Sequence, residues 1–215
     1  MTFSSSCGVS ELPLFPLPDV VLFPNRPLPL HIFEFRYRIM INTILEENCR
    51  FGVLMSNPEN GDIATVGCCA EIINAQRLPD DRFKIDTLGQ QRFRLLRYIR
   101  EKPYLVGLVE WIEDTPPTED LRPLGQQVEQ LLRDVVRLHD KLTDQKRGLP
   151  DDLPSLPLEL SYWIAGNLQG APAEQQYLLD TQDTAARLRR ESEILTSTRN
   201  YYAASTALKE ALSQQ

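Results

Sequence analysis

The sequence predicts an α+β fold, a bent β-sheet followed by an α-helical bundle, and two patterns predict it. Between residues 63 and 113 the sequence reads as a series of strands, and apolar and polar residues alternate over residues 83–86 and 92–95, as in strands with one solvated face. From residue 121 the apolar spacing changes to three and four residues, the period of an α-helix. We predict a flexible tail over residues 1–10, a β-rich subdomain over residues 11–114, a helical bundle over residues 120–198 and a C-terminal helix extension over residues 199–215.

The first structured segment, residues 12–38, carries six prolines among large apolar residues. Each proline lacks a backbone donor and fixes φ, so we expect short extended pieces at sheet edges, joined by turns. The residues between the prolines, from Leu14 to Phe33, are too apolar for a solvated linker. The segment is therefore predicted to form part of the core.

A helix and a series of strands are expected next. Apolar residues at three- and four-residue steps predict an amphipathic helix over residues 34–47. Residues 51–55 form a short apolar run typical of a buried strand. We predict four further strands, over residues 70–78, 82–88, 91–98 and 104–113. Pro79-Asp80-Asp81 and Leu88-Gly89-Gln90 are interpreted as the turns that separate the first three of them.

The helical half is predicted to begin with a helix of about six turns between Leu121 and Leu142. Residues 147–157 are rich in proline and predict a loop. Pro157 and Pro172 suit the first turns of two shorter helices, where a missing backbone donor costs nothing. A last helix is expected from about residue 183, and its end, residues 206–215, is expected to fray because its apolar face is largely lost.

Composition sets limits on the function. The chain has 215 residues, of which 42% are hydrophobic, enough for one good core or two modest ones. A net charge of -7 argues against broad attraction to nucleic acid or anionic lipid. The sequence contains neither a long apolar run nor a secretory signal, so we expect a cytoplasmic protein. Its four cysteines (Cys7, Cys49, Cys68 and Cys69) lack zinc-binding spacing, so we expect reduced thiols and no metal or other cofactor.

Three motifs carry a resemblance to a known family. The first comprises Leu12-Pro13-Leu14-Phe15-Pro16-Leu17, Val21-Leu22-Phe23-Pro24, Pro29-Leu30-His31-Ile32-Phe33-Glu34 and Arg36-Tyr37-Arg38. The others are Gly89-Gln90-Gln91-Arg92-Phe93-Arg94 and Glu174-Gln175-Gln176. Together they resemble the amino-terminal substrate-binding domain of the Lon proteases, over about residues 12–198. That family usually has a proline where this chain has Phe35. We expect the signature from Pro29 to Arg38 to be structural, apart from Phe35.

The resemblance implies a PUA-like β-domain and a role in recognising polypeptide. The phosphate-binding pattern G-x-x-x-x-G-K-[ST] does not occur in these 215 residues. No lysine lies in a context that resembles the serine–lysine dyad of the Lon peptidase. We therefore predict a non-catalytic, stand-alone protein that binds unfolded or extended polypeptide, and the sequence leaves open whether a separate protease or chaperone receives that polypeptide.

Two binding modes are open to such a polypeptide. It could contact exposed apolar surface between the subdomains, or add as a strand to an open sheet edge. The residues that we predict to contact it are Phe23, Pro24, Asn25, Arg26, Pro27 and Phe35. Edge packing is the alternative interpretation for each of them.

Other functions remain open. A catalytic site would use His31 as base, Glu34 beside it and Cys68 or Cys69 as nucleophile, although a histidine in an apolar run is more typical of a hydrogen-bonded residue inside the fold. RNA binding would use a group of basic residues: Arg77, Arg82, Lys84, Arg92, Arg94, Arg97, Arg100 and Lys102. We interpret these mainly as the solvated face of a sheet. A scaffold for one specific folded partner is a third possibility.

Overall fold

The computed structural model describes residues 8–144, 148–150, 153–168 and 170–213. Its strands are β1 (Val9–Pro18), β2 (Pro27–Ile32), β3 (Arg50–Ser56), β4 (Val66–Arg77), β5 (Phe83–Arg100) and β6 (Leu105–Ile112). Its helices are α1 (Phe35–Leu45), α2 (Arg122–Thr143), α3 (Pro157–Gly166), α4 (Pro172–Asp180) and α5 (Thr184–Ser213). The chain folds as two compact units, one formed by residues up to Asp114 with Ala165–Gln182, the other by Thr115–Ile164 with the residues from Asp183 onward.

The first unit is built on a mixed sheet that bends into a pseudo-barrel. Strand β1 runs parallel to β3 and antiparallel to β6, and β4 lies between β3 and β5. Residues 92–100 of β5 pair with β6, and this pairing closes the ring. Strand β2 pairs with residues 83–88, at the start of β5. The predicted α+β class and bent sheet are confirmed.

The prolines of β1 are accommodated because each half of this strand pairs on one side. Residues 9–14 pair with β6 and residues 14–18 pair with β3. Each half therefore leaves one side where a proline, such as Pro13 or Pro16, costs no ladder hydrogen bond. The strand begins at Val9, so the flexible tail predicted to residue 10 is wrong for Val9 and Ser10. Residues 1–7 lie outside the described residues.

Strand β5 corrects the turn that was predicted at Leu88-Gly89-Gln90. It runs unbroken for 18 residues through these positions. Gly89 instead allows the backbone at Phe23 to approach β5 closely, since a Cβ at position 89 would lie 2.0 Å from the carbonyl oxygen of Phe23. The approaching segment is tied down by two backbone hydrogen bonds, from Asn25 N–H to Gly89 O (2.8 Å) and from Gly89 N–H to Arg26 O (2.9 Å).

Helix α1 confirms the amphipathic helix predicted over residues 34–47. Its buried side chains, Tyr37, Met40, Ile41 and Ile44, recur at the spacing of one helix face. They pack against apolar residues of the sheet, among them Phe15, Phe51 and Ile85. Leu14, Phe15, Leu22, Phe23 and Ile32 of the opening segment are buried, as predicted. Val20 and Val21 are only half-buried, and Phe33 is 63% exposed, which corrects the prediction at these positions.

The second unit is centred on α2 and α5. Val128, Leu132 and Val135 of α2 share a core with Leu188 and Leu195 of α5. Pro157 and Pro172 begin α3 and α4, as predicted. The loop predicted over residues 147–157 lies partly outside the described residues.

Helix α4 departs from the uninterrupted bundle predicted over residues 120–198, because it groups with the sheet. The side chain of Gln176 is buried, and its Nε2 donates a hydrogen bond to Val66 O of β4 at 3.0 Å. Leu178 and Leu179 are also buried. A short helix of mixed composition carries no local signal of the unit against which it packs.

Helix α5 continues to Ser213, through most of the residues for which fraying was predicted. Lys209 Nζ donates to Leu142 O at 3.0 Å and to Asp144 Oδ2 at 2.6 Å, which ties the last turns of α5 to the end of α2. Gln214 and Gln215 lie outside the described residues. Among the described residues, no helix is long and apolar enough to cross a membrane.

Candidate functional site

The loop that was predicted to contact polypeptide lies between β1 and β2. Phe23 is fully buried, so the prediction of an exposed aromatic contact at this position is wrong. Pro24 is half-buried, whereas Asn25 and Pro27 are exposed. Asn25 adopts a left-handed conformation (φ 59°), which asparagine tolerates, and this turn reverses the chain above Gly89.

Arg26 has a packing role in this loop. Its Nη2 donates a hydrogen bond to Asn167 Oδ1 at 3.2 Å. Its side chain also lies against Gly166, where an added Cβ would be 3.1 Å from Arg26 Cγ. Partial burial lowers the pKa of this guanidinium below its usual value. Arg26 therefore holds the loop against the end of α3.

An exposed aromatic pair lies at the start of α1. Phe33 and Phe35 are 63% and 69% exposed. The His31 ring lies edge-on to Phe33 with 6.2 Å between ring centroids, and the Arg38 guanidinium lies 5.4 Å from the centre of the Phe35 ring. Arg38 also donates to Asp80 O at 3.4 Å. We call His31, Phe33, Phe35 and Arg38 the aromatic surface.

The aromatic surface was only partly visible in the sequence. Phe35 was among the predicted contacts, but Phe33 was assigned to the core with the residues before it. Strand alternation was the missed signal, because Ile32, the last residue of β2, is buried, and an extended chain that continues past it places Phe33 on the other face. The ion pair between Glu34 and Arg36 (2.9 Å) is exposed and flanks the same surface.

A catalytic interpretation of His31 finds no support in its surroundings. His31 is exposed on β2 opposite Lys84, so its predicted place inside the fold is wrong. Cys68 and Cys69 are both buried. Burial raises the pKa of the Cys69 thiol to about 12 and raises the pKa of the Cys68 thiol well above its usual range. Both therefore stay protonated at neutral pH and are poor nucleophiles.

Arg92 is a structural residue, contrary to its predicted place on a solvated face. Its side chain is 1% exposed and forms an ion pair with Asp114. Its Nη1 donates to the carbonyl oxygens of Leu179 (2.5 Å) and Thr181 (2.8 Å), at the end of α4. Arg92 thus anchors the segment after α4 to β5. No sequence pattern distinguished it from Arg94, which lies two residues later.

Other members of the basic group are also engaged. Arg77 pairs with Asp81 (2.8 Å), and Arg82 pairs with Asp80 (2.6 Å), within the β4–β5 turn. Together with Arg92, three of the eight residues proposed for RNA are neutralised by neighbouring carboxylates. Across the described residues, no three His, Cys, Asp or Glu side chains are arranged to hold a metal ion.

A family comparison decides what this architecture is. The model of the "ATP-dependent protease La (LON) substrate-binding domain" matches residues 11–197. The chain belongs to this family. Among curated relatives of the chain, "Lon protease 2" of Myxococcus xanthus is 27% identical over 209 residues. The match covers 94% of this chain and 25% of the relative. "Lon protease" of Desulfovibrio desulfuricans is 30% identical over 190 residues, covering 82% and 21%. The chain thus spans about a quarter of these relatives.

Solved structures of the Lon family share the fold. A "Lon N-terminal domain protein" from Xanthomonas campestris superimposes with a TM-score of 0.61 at 25% identity, over 84% of this chain and 96% of that one. The "N terminal domain of Mycobacterium avium complex Lon protease" superimposes with a TM-score of 0.65 at 16% identity, over 89% of this chain and 98% of that one. The predicted recognition and fold class are confirmed.

In this member of the Lon family, strand addition meets obstacles at the open edges of β2, β4 and β5. Strand β2 carries Pro27 and Pro29, and because prolines cannot donate, its ladder bonds to β5 come from the alternate residues. Its outer edge therefore presents two prolines where backbone donors would stand. The free parts of β4 and β5 contain register shifts, at residues 72–74 of β4 and at residues 95–97 and 98–100 of β5. Prolines and bulges both weaken edge pairing.

Proposed function

We propose that this chain is a non-catalytic polypeptide-binding protein, and that the aromatic surface binds unfolded segments. The observation that carries the proposal is the exposure of Phe33 and Phe35 by about two-thirds each. Exposed aromatic residues close together mark interaction sites, because their burial against a partner is favourable. Of the contacts predicted from sequence, Phe35 is retained, together with the exposed Asn25 and Pro27 of the β1–β2 loop.

The expected mode is side-chain contact and not strand addition. Prolines on β2 and bulges on β4 and β5 blunt the available edges. Burying a phenylalanine side chain contributes about 1.5–3 kcal/mol, whereas association costs about 4–15 kcal/mol. Two rings alone therefore cannot give tight binding. The affinity for an unfolded chain should be weak, and it should depend on several apolar side chains of that chain.

The family match supports the non-catalytic part of the proposal, since it is a match to a substrate-binding domain. Cys68 and Cys69, the two nucleophiles considered for a site at His31, are buried and protonated, which argues against that site. Co-operation with a protease or chaperone, in the cytoplasm, is part of the same proposal. RNA binding is less well supported, because Arg77, Arg82 and Arg92 are paired with carboxylates.

The test is a binding titration with reduced, carboxymethylated α-lactalbumin as the unfolded protein. Phe33→Gln/Phe35→Gln is expected to weaken binding at least about tenfold, since it removes both exposed rings. The matched control is Leu208→Gln/Leu212→Gln, because these leucines are 66% and 73% exposed on α5. The control should bind like the wild type, at both low and high salt.

Two results would count against the proposal. Equal loss of binding in the two variants would mean that any exposed apolar pair suffices. ATP hydrolysis or cleavage of the unfolded protein that copurifies with the chain and is lost on His31→Ala or Cys69→Ser would contradict its non-catalytic character.

A further inference from the structure

We propose that the β5–β6 hairpin is a second binding surface, and that it takes an acidic, extended polypeptide segment with apolar side chains between its carboxylates. The hairpin surface consists of Leu96, Arg97, Tyr98, Ile99 and Arg100, the last residues of β5. It is distinct from the aromatic surface, and the proposal does not depend on binding there.

The hairpin surface lies on a free edge. Pairing between β4 and β5 ends at Val66 and Arg94, and the backbone N–H of Leu95 still donates to Thr65 O at 2.7 Å. From there to Arg100, β5 pairs with β6. Within the described residues no strand covers the opposite edge of this segment. Its side chains are therefore accessible from that side.

Two irregularities in pairing aim apolar side chains outward. The β5–β6 register shifts between Leu95 and Arg97, and again between Tyr98 and Arg100. Leu96 and Ile99 are thus extra residues with no partner on β6, as in β-bulges, which redirect side chains. Leu96, Tyr98 and Ile99 are 48%, 40% and 39% exposed. Three large, partly exposed apolar side chains therefore lie within four positions of the chain.

The same segment is basic in an acidic protein. Residues 96–100 contain two arginines and no acidic residue, whereas the whole chain carries a net charge of -7. Among the described residues, Arg97 makes no ion pair, and the Arg100 guanidinium lies 4.9 Å from the centre of the Tyr104 ring. These charges remain available to a partner. Electrostatic complementarity therefore selects an acidic segment.

The apolar component selects polypeptide over nucleic acid. Single-stranded RNA is held by aromatic rings that stack on its bases together with a basic groove. The hairpin surface offers one ring, Tyr98, while Leu96 and Ile99 are aliphatic. Aliphatic side chains between arginines match apolar residues between carboxylates. The bulges also disfavour a regular added strand, so the contact is made by side chains.

The test uses a labelled peptide of about 12 residues in which Asp and Glu alternate with Leu and Phe, and a twin peptide with Lys at the acidic positions. Binding is followed by fluorescence anisotropy between about 50 and about 500 mM salt. The wild type should bind the acidic peptide at least about tenfold more tightly than the lysine twin, and the difference should shrink with salt.

Variants locate the site. Arg97→Glu/Arg100→Glu should weaken binding of the acidic peptide at least about tenfold, and Leu96→Ser/Ile99→Ser should weaken it at all salt concentrations. Arg137→Glu/Arg199→Glu changes the net charge equally on α2 and α5, outside both proposed surfaces, and should bind like the wild type. All these side chains lie on the surface or at its margin, and circular dichroism checks that each variant is folded.

Four results would overturn the proposal. These are equal binding of the two peptides, unchanged binding by Arg97→Glu/Arg100→Glu, tighter binding of a polyuridine that this double variant abolishes, and a wild-type dimer in sedimentation that the same variant dissociates. The last two would assign the hairpin surface to RNA or to a second copy of the chain.

Discussion

A buried charged side chain can hold several segments of this protein together, and Arg92 is the clearest example. Its side chain and that of Asp114 are 1% and 7% exposed, so the pair is removed from water. The arginine also satisfies the carbonyl groups at the end of α4. One side chain therefore connects β5, the end of the sheet and the segment after α4.

We predict that Arg92→Leu lowers the free energy of unfolding by about 3–5 kcal/mol, because it leaves Asp114 buried without this partner. Urea unfolding followed by circular dichroism measures the change. Arg97→Leu is the matched control on the same strand and should change stability by about 0.5 kcal/mol or less. Unfolding of both variants at the wild-type urea concentration would refute the anchoring role.

Glu191 presents the opposite case, a buried carboxyl that finds no hydrogen-bond partner for either oxygen within the part of the chain that the structure describes. It is fully buried on α5, and burial raises its pKa well above the ordinary value of 4.5, although nearby Arg187 acts in the other direction. The folded protein therefore binds this proton at pH values where the unfolded chain has released it. Its contribution to stability is present below about pH 4.5 and is lost as the pH rises towards the folded-state pKa.

Glu191→Gln should remove this pH dependence. Near pH 4.5 its stability should be close to that of the wild type, and at pH 8 the variant should be more stable by about 1–3 kcal/mol. The comparison is made by urea unfolding across the pH range. Glu193→Gln, at an exposed position of the same helix, should follow the wild type. A difference between Glu191→Gln and the wild type that stays constant with pH would refute the assignment.

At the scale of elements, β5 organises the first unit, because it pairs in turn with β2, β4 and β6. Alternation predicted its two halves but not their continuity, since Leu88-Gly89-Gln90 reads locally as a turn. The role of Gly89 depends on Phe23, which is distant in sequence and approaches from the β1–β2 loop. Local patterns cannot show a contact of this kind.

Gly89→Ala is expected to lower stability by about 3 kcal/mol or more, because the new Cβ would meet backbone atoms of Phe23 at 2.0 and 2.9 Å. Gly125→Ala is the matched control, since a Cβ there would find Pro157 at ordinary contact distances of 3.5–3.8 Å. That control should be neutral or stabilising by about 1 kcal/mol, as alanine is the better helix former. Thermal unfolding distinguishes the two, and equal melting temperatures would contradict the close approach.

At the scale of the whole molecule, the sequence predicted the mixed architecture because apolar periodicity changes near residue 115. It missed the return of residues 165–182 to the first unit, which rests on distant contacts such as Gln176 with Val66. The candidate site was half predicted for a similar reason. Phe35 was predicted as an exposed aromatic group and is 69% exposed, whereas the burial of Phe23 depends on β5.

The central claim is that unfolded polypeptide contacts the aromatic surface, and photo-cross-linking tests it most directly. A benzophenone amino acid replaces Phe35, or replaces the equally exposed Leu212 as control, and the protein is irradiated with unfolded α-lactalbumin. We predict a cross-link from position 35 that excess unlabelled unfolded protein suppresses, and little from position 212. Equal cross-linking from the two positions, or cross-linking from position 212 alone, would contradict the claim.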